Sequence, residues 1–372
     1  MVRLLLSGTP RLEREPRVVQ PEQIDRALVD FEVLSGWMDG QGLPGGPFED
    51  VRPLAGGTQN TLIRFGRGGR DYVLRRGPAH LRARTNDVLR REARVLAALD
   101  GTGVPAPRLI AACPDESVMN GAVFYLMTPV DGFNPTVTLP ESHAGDKAIQ
   151  RGMGLNAARA LSALGAVDHE AVGLGGFGRP EGFLERQVSR WLSELDSYRA
   201  LDGYPGPDIP GLDDVARWLE EHRPHRWRPG ILHGDYHLAN LMYSFDGPEV
   251  AAIVDWEMCT IGDPLLDLGW LLATWPDRDD PGAALAGPLG ATGALPATDD
   301  LVATYAERSD AVAGRDLSSI TWYAVLACFK LGIVLEGTNA RAHAGKAPRE
   351  TGDLLHTITL GLFTRAQGFI GG

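Results

Sequence analysis

Residues 231–240 read ILHGDYHLAN, and residues 251–257 read AAIVDWE. Phosphoryl transfer needs a carboxylate beside the attacking hydroxyl and hard oxygen ligands for the magnesium ions that bridge the phosphates. Asp235 suits the first task, and Asn240, five residues later, can offer its amide oxygen to a metal. Asp255 closes the apolar run AAIV, where a poorly solvated carboxylate needs a cation such as magnesium. We therefore expect these three side chains to act on one terminal phosphate and its divalent ion.

These polar residues also have purely structural interpretations. An aspartate such as Asp235 is common in turns, and Asn240 can cap a helix or a loop. The five-residue step between them, together with a further aspartate after a strand, favours phosphoryl transfer. His233 and His237 are four apart, as in a zinc pair, but the sequence offers no third ligand at a recognisable spacing. We expect His233 to pack under the loop instead.

The motif HGDYHLAN resembles the catalytic loop of the aminoglycoside phosphotransferase and choline kinase families, and IVDWE resembles their metal-binding segment. The protein-kinase pattern H-R-D-L-x-x-x-x-N has the same step from aspartate to asparagine. The resemblance implies Asp235 as catalytic base and Asn240 and Asp255 as magnesium ligands. GDPLLDL at 262–268 resembles the segment that follows in these families, which implies that Asp267 braces the catalytic loop.

A second stretch of sequence narrows the resemblance to one branch of the family. Residues 323–341, YAVLACFKLGIVLEGTNAR, are similar to the branch of phosphotransferase-like domains that includes those fused to acyl-CoA dehydrogenases. The resemblance extends from about residue 50 to about residue 340, with its most specific motifs at 231–270. It implies ATP and Mg²⁺ as cofactors and a small-molecule hydroxyl as the phosphate acceptor.

The N-terminal region is expected to hold the nucleotide. The run AGGTQN at 55–60 lies between two predicted strands, where backbone amides can approach phosphates. The resemblance makes it the phosphate-covering loop and YVLR at 72–75 the strand that usually carries a lysine; here that residue is Arg75. FYLMTPVDG at 124–132 resembles the interlobe hinge. The nucleotide-binding residues implied are Gly56, Gly57, Thr58, Arg75, Glu92, Met127, Thr128 and Val130.

The Arg75 departure has a predicted partner. Val88, Glu92, Val95 and Leu99 share one face of a predicted helix, so Glu92 lies in an apolar stripe. An inward carboxylate needs a partner, and Arg75 is the candidate. The alternative is a partly exposed Glu92 paired with another arginine. Arginine keeps the charge of lysine but differs in reach and geometry.

The pattern of periodicities predicts an α+β protein, in which an antiparallel sheet with a helix is followed by a mainly helical region. The family resemblance implies that this is the two-lobed protein-kinase-like fold, with the following lobes. Residues 1–128 form an N-terminal nucleotide-binding lobe with an arm, a helix over 21–38, a five-stranded antiparallel sheet and a helix over 86–99 that Thr85 or Asn86 can cap. Residues 129–372 form a mainly helical catalytic and substrate-binding lobe with a small β insert at 241–255.

Composition narrows the function classes. A formal charge of −12 argues against a general nucleic-acid partner. No run of about 20 apolar residues predicts a membrane helix, and no signal-peptide pattern opens the sequence. Three scattered cysteines favour a reducing cytoplasm over a disulfide framework. Residues 64–94 carry a net charge of +7, which leaves −19 for the remainder. Such a basic segment suits phosphate binding. The charge alone equally fits arginines that lie on solvated faces of a helix and a hairpin.

The acceptor is open at this point. An acidic C-terminal lobe suits a polyamine such as an aminoglycoside, and Glu257, Asp263 and Glu336 are the candidate substrate contacts. The arginine-rich N-terminal lobe equally suits an anionic acceptor such as a hydroxyacyl-CoA, and choline-like and sugar acceptors belong to the same superfamily. A non-catalytic ATP-binding protein and a metal-dependent hydrolase are the rival functions.

Overall fold

The structure is a computed structural model that describes residues 18–54, 60–276, 286–308, 310–312 and 314–372. These residues fall into two compact units. The sheet unit contains residues 18–54 and 60–131 together with Ala251–Glu257. The helical unit contains Gly132–Val250 and Met258–Gly372.

The sheet unit is built on five antiparallel strands. Their order across the sheet is β1-β2-β3-β5-β4. The strands are β1 (Phe48–Pro53), β2 (Thr61–Arg67), β3 (Arg70–Arg76), β4 (Leu109–Cys113) and β5 (Phe124–Met127). Gly68 and Gly69 turn β2 into β3 with φ of 58° and 73°, a left-handed conformation that glycine adopts without strain. The five-stranded sheet predicted from the sequence is thus present.

Two helices complete the sheet unit, and the first differs from the prediction. Instead of one helix over 21–38, a single 3₁₀ turn covers Pro21–Gln23, and helix α1 spans Phe31–Gly40. Asp30 explains the late start, because its carboxylate accepts from the N–H groups of Glu32 and Val33 at 3.0 and 3.3 Å and so caps the helix.

Helix α2 spans Thr85–Leu99. Neither predicted capping residue caps it, since the N-cap is Arg84 and no side chain bonds the first turn. The Asn86 amide instead donates to the Gly121 carbonyl at 2.9 Å and accepts from Val123 N–H at 3.0 Å. Asn86 therefore fastens α2 to the start of β5.

The helical unit surrounds one long apolar helix. Its helices are α3 (Glu141–Ala144), α4 (Lys147–Gly165), α5 (Gln187–Ser197), α6 (Leu212–Glu221), α7 (Leu265–Ala273), α8 (Gly287–Ala291), α9 (Thr298–Ala306), α10 (Ile320–His343) and α11 (Arg349–Gly371). Helix α10 packs against α11, α7, α5 and α6. Leu317–His343 has a mean hydropathy of 1.6 over its most apolar window, long and apolar enough to cross a membrane, but 67% of that window is buried inside the protein. Packing within the unit accounts for its composition.

Four short strands, β6 to β9, lie along the chain between helices α6 and α7. β6 (Gly230–Leu232) pairs antiparallel with β9 (Thr260–Gly262), a pairing that the sequence analysis did not predict. β7 (Leu241–Tyr243) is followed by a turn in which Ser244 N–H donates to the Glu249 carbonyl at 3.0 Å. β8 (Val250–Ile253) then leads into the Asp255 segment.

Candidate active site

The loop of Asp235 follows β6 and ends in a 3₁₀ turn at Leu238–Asn240. The chain turns sharply at Gly234, whose φ is 85°. A Cβ at this position would lie 2.6 Å from the Met258 carbonyl oxygen and 3.1 Å from the Met258 Cβ. Both the backbone angle and the close approach of Met258 therefore require glycine before Asp235.

Asp267 braces this loop from the first turn of α7. Its carboxylate accepts from the backbone N–H of His233 at 2.6 Å and from that of Gly234 at 2.9 Å. Burial raises the pKa of Asp267, while the charge of His233 and these two N–H donors act in the opposite direction. Asp267 thus braces the loop that contains Asp235 through two backbone N–H groups, and His233 is fully buried.

Asp235 is held by two side chains of its own loop. Asn240 Nδ2 donates to the Asp235 backbone carbonyl at 2.8 Å and to its Oδ2 at 3.2 Å. His237 Nε2 lies 3.3 Å from the other carboxylate oxygen, Oδ1. The Asn240 amide nitrogen therefore faces Asp235, and its oxygen is the atom that can bind a cation.

The hydrogen bonds of His237 fix its tautomer. Its Nδ1 accepts from Ala239 N–H at 3.2 Å, so the proton is on Nε2 and points to Asp235. Burial lowers the pKa of His237, which favours the neutral ring. Burial acts to raise the pKa of Asp235, but the hydrogen bond from His237 is among the influences that act against it, and that pKa lies well below its usual value. His237 thus stabilises the carboxylate, a role that sequence reasoning missed.

In the sheet unit, the ion pair predicted between Arg75 and Glu92 is present. The guanidinium donates to Glu92 through Nε at 2.8 Å and Nη2 at 2.7 Å. Glu92 is 1% exposed, and the Tyr125 hydroxyl donates to the same carboxylate at 3.0 Å. Arg75 Nη2 also reaches Asp255 Oδ1 at 3.2 Å. Arg75 therefore links the helix carboxylate to the Asp255 carboxylate.

The Asp255 segment belongs to the sheet unit through its backbone. Ile253 N–H donates to the Pro105 carbonyl at 2.8 Å. Asp255 has a φ of 66°, a region that non-glycine residues rarely adopt and that is common at functional sites. One carboxylate oxygen from each of Glu92, Asp255 and Glu257 lies within 4.8 Å of the others. This is the one cluster of metal-ligating side chains found among the described residues.

The structure describes some, but not all, of the remaining residues that were predicted to contact the nucleotide. Met127 ends β5, and Thr128 pairs with Arg108: Thr128 N–H donates to the Arg108 carbonyl at 2.9 Å, and Arg108 N–H donates to the Thr128 hydroxyl at 3.0 Å. The Thr128 N–H is therefore committed to the protein, and an adenine ring would have to use other backbone atoms, such as those of Val130. Gly56, Gly57 and Thr58 lie outside the described residues.

Two of the three proposed substrate contacts are internal. Asp263 is fully buried, accepts from the Tyr323 hydroxyl at 2.6 Å and from Leu265 N–H at 3.0 Å, and lies 3.7 Å from Arg315 Nε. Its position corrects the expectation of a substrate contact, because a buried carboxylate already saturated by protein donors has no surface for a ligand.

Glu336 is equally enclosed. Its carboxylate accepts from the Tyr204 hydroxyl at 2.6 Å and from Asn339 Nδ2 at 3.0 Å, and it lies 2.7 Å from His356 Nδ1. It is 0% exposed. Acidity in the sequence could not distinguish these internal carboxylates from exposed ones, and Glu257 alone of the three is partly exposed.

An antiparallel sheet unit with an Arg75–Glu92 pair, followed by a helical unit with a braced aspartate loop, defines a phosphotransferase of the protein-kinase-like class. The model of the phosphotransferase enzyme family matches residues 50–301. The chain belongs to this family, and the predicted family and α+β fold class are confirmed.

Individual relatives agree with this assignment. The chain is 29% identical to acyl-CoA dehydrogenase family member 11 of Gallus gallus over 319 residues, which cover 83% of the chain but 39% of that relative. It therefore spans about two fifths of the length of this curated relative.

Solved structures give the same fold. A Ralstonia eutropha protein provisionally assigned as an aminoglycoside phosphotransferase is 28% identical with a TM-score of 0.73, covering 91% of this chain and 98% of that one. The GDP complex of aminoglycoside 2'-phosphotransferase-IIIa, at 16% identity and a TM-score of 0.59, covers 90% of this chain and 98% of its own; at that identity it shows the fold alone.

Proposed function

We propose that this protein transfers the γ-phosphate of ATP, with magnesium, to a hydroxyl group of a small molecule. The observation that carries the proposal is the buried loop in which Asp235 is held by His237 at 3.3 Å and by Asn240 at 3.2 Å. A carboxylate fixed in this way can orient an acceptor hydroxyl and take its proton as the oxygen attacks phosphorus. The phosphorus–oxygen bond to the β-phosphate breaks in the same step, which releases ADP.

The donor set of the sheet unit fits a magnesium ion. Magnesium prefers oxygen ligands, and Asp255 and Glu257 present carboxylates within 4.8 Å of each other and of Glu92. Glu92 is committed to Arg75 and Tyr125, so Asp255 and Glu257 are the carboxylates that suit a metal. We assign Asp255 as a magnesium ligand, with Glu257 supporting the same ion. The resemblance implies Asn240 as a further magnesium ligand, through its amide oxygen. When bound, the metal neutralises charge on the phosphates.

Arg75 takes the place that lysine usually holds. Its guanidinium is anchored on Glu92 by two hydrogen bonds, which fix the orientation of the guanidinium within the sheet unit. A guanidinium binds phosphate oxygens with several donors. We propose that Arg75 binds nucleotide phosphates and that the Asp255 carboxylate, now bonded to Arg75 at 3.2 Å, turns to the metal when nucleotide enters.

The burial of two predicted substrate contacts changes which acceptors we favour. Burial of Asp263 and Glu336 removes two of the three carboxylates that favoured a polycation, so charge no longer singles out aminoglycosides. The relatives that carry phosphotransferase-like regions include both aminoglycoside phosphotransferases and acyl-CoA dehydrogenase family members. We propose a hydroxylated metabolite as acceptor, with aminoglycosides and hydroxyacyl-CoA, choline-like and sugar alcohols as the pools to test.

The test follows ADP release with Mg²⁺ and ATP against each acceptor pool. We expect acceptor-dependent ADP release in the wild type and a loss of about 10²- to 10⁴-fold in Asp235→Asn, the usual contribution of a general base. Asp246→Asn, a change at an exposed aspartate of the same unit, is the matched control and should retain full turnover.

Three outcomes would contradict the proposal. Equal ADP release by Asp235→Asn and wild type would remove the catalytic role of Asp235. Phosphate release that needs no acceptor would indicate a hydrolase. Thermal stabilisation by ATP without turnover of any pool would indicate a non-catalytic nucleotide-binding protein.

A further inference from the structure

Lys330, in the middle of α10, lies next to the loop that contains Asp235. Lys330 is 8% exposed, and its Nζ donates to the Gly234 carbonyl at 3.4 Å. Gly234 is the residue before Asp235. An ammonium group carries three N–H donors. Among the described residues, the Gly234 carbonyl is the acceptor to which Lys330 donates.

Two tryptophan rings enclose the ammonium. Lys330 Nζ lies 4.5 Å from the centroid of the Trp270 ring, which α7 contributes, and 5.5 Å from that of Trp191, which α5 contributes. Both distances fall within the range of cation–π attraction. These rings offset part of the cost of burying a positive charge and fix its position against the loop.

The charged groups that face Lys330 come from three elements. Asp235 of the loop and Asp267 of α7 attract its charge, and Arg190 of α5 repels it. Burial is the largest influence and lowers the pKa of Lys330 to about 8. A pKa in this range makes the protonation state of Lys330 sensitive to pH around 8.

A lysine rather than an arginine at position 330 is informative, because lysine is rare in this sequence. The chain has 36 lysines and arginines, and lysine occurs at Lys147, Lys330 and Lys346. Lys147 and Lys346 are exposed. A compact ammonium that can release its proton thus occupies the buried position, in a chain that uses arginine almost everywhere else.

We propose that Lys330 is a positioning residue that holds the Gly234 peptide, and with it the Asp235 carboxylate, in the orientation that turnover needs. Asp267 binds the N–H of Gly234 at 2.9 Å and Lys330 binds its carbonyl, so the residue is held from both sides. The positive charge of Lys330 also attracts the Asp235 carboxylate. The inference rests on the proposed kinase activity and adds a requirement for protonated Lys330.

The kinetic test compares Lys330→Met and Lys330→Arg with the wild type across a pH range of about 6 to 10, which brackets the titration of a lysine whose pKa burial has lowered. We expect Lys330→Met to lower kcat by about 10- to 100-fold with an unchanged KM for ATP, because the aspartate is misplaced rather than the nucleotide lost. The wild-type kcat should fall as pH rises through the Lys330 pKa. Lys330→Arg keeps its charge at all these pH values, so its kcat, although reduced, should show no decline in this range.

A second measurement does not depend on turnover. The three lysines give three resonances after ¹³Cε-lysine labelling, and the one missing in Lys330→Arg belongs to Lys330. We expect it to titrate near pH 8, and at a lower pH in Asp235→Asn, where an attracting carboxylate is lost. Lys330→Met should melt no lower than the wild type, since a buried charge has been replaced by an apolar chain of similar length.

The outcomes separate this inference from the proposed function. The positioning role would be overturned if Lys330→Met had the same kcat and pH profile as the wild type. It would also be overturned if the Lys330 resonance titrated at the same pH as those of Lys147 and Lys346. In both cases the kinase activity would stand. A wild type that consumes no ATP with any acceptor, while Lys330 titrates near pH 8 and responds to Asp235→Asn, would overturn the proposed activity and support the contact with the loop.

Discussion

The guanidinium of Arg75 meets the carboxylate of Glu92 through two hydrogen bonds of 2.8 and 2.7 Å. Both groups are buried, so removing either partner leaves the other desolvated and unpaired. In the family resemblance, Arg75 is the residue at the place where protein-kinase-like enzymes usually carry a lysine.

Arg75→Met should therefore cost about 3–5 kcal/mol of unfolding free energy and weaken ATP binding. The double variant Arg75→Met with Glu92→Leu should recover most of that stability without recovering ATP binding, because the orphaned carboxylate is gone and the phosphate contact stays absent. Urea unfolding and nucleotide titration measure the two effects. Equal stability of Arg75→Met and wild type would contradict the buried pair.

Gly234→Ala tests the turn before Asp235. The left-handed φ of 85° and the Met258 oxygen 2.6 Å from a new Cβ both oppose alanine. Gly173→Ala is the matched control, because Gly173 has a φ of 81° with nothing within 4 Å of a Cβ. We expect about 1–2 kcal/mol of lost stability in the control and a clearly larger loss, with turnover abolished, in Gly234→Ala. Similar melting curves for the two variants would remove the argument from close approach.

Asp255→Asn and Glu257→Gln test the metal cluster. An amide keeps an oxygen donor but loses the charge that attracts a divalent ion. We expect Asp255→Asn to raise the Mg²⁺ concentration for half-maximal ADP release at least about tenfold, and Glu257→Gln to raise it less, since metal affinity follows ligand charge. Glu249→Gln serves as a control outside the cluster. An unchanged Mg²⁺ requirement in Asp255→Asn would exclude it as a ligand.

Glu336→Gln separates a structural carboxylate from a substrate contact. Glu336 binds Tyr204, Asn339 and His356 in the interior, so the variant should lose about 1–3 kcal/mol of stability with unchanged KM for the acceptor. Glu221→Gln, at an exposed glutamate, should change neither quantity. A raised acceptor KM in folded Glu336→Gln would return this residue to the binding site.

Sequence reasoning succeeded where the signal is local. Asp235 and Asn240 lie within one loop, and the Glu92 stripe lies within one helix, so their spacing could be read directly. The family resemblance supplied Arg75 as the candidate partner of Glu92, and the structure has this pair. It failed where contacts are distant in the chain. Lys330 and Gly234 are 96 residues apart, and no periodicity connects them, although the scarcity of lysine was a usable signal. The predicted helix over 21–38 failed because the cap at Asp30 outweighs apolar spacing.

The Ala251–Glu257 segment belongs to the sheet unit although the residues on both sides of it belong to the helical unit. A polypeptide that ends near residue 131 consequently lacks Asp255 and the hydrogen bond from Ile253 N–H to the Pro105 carbonyl, so no single contiguous fragment contains the whole sheet unit and nothing else. Truncation screens for this protein should treat that inserted heptapeptide as indispensable.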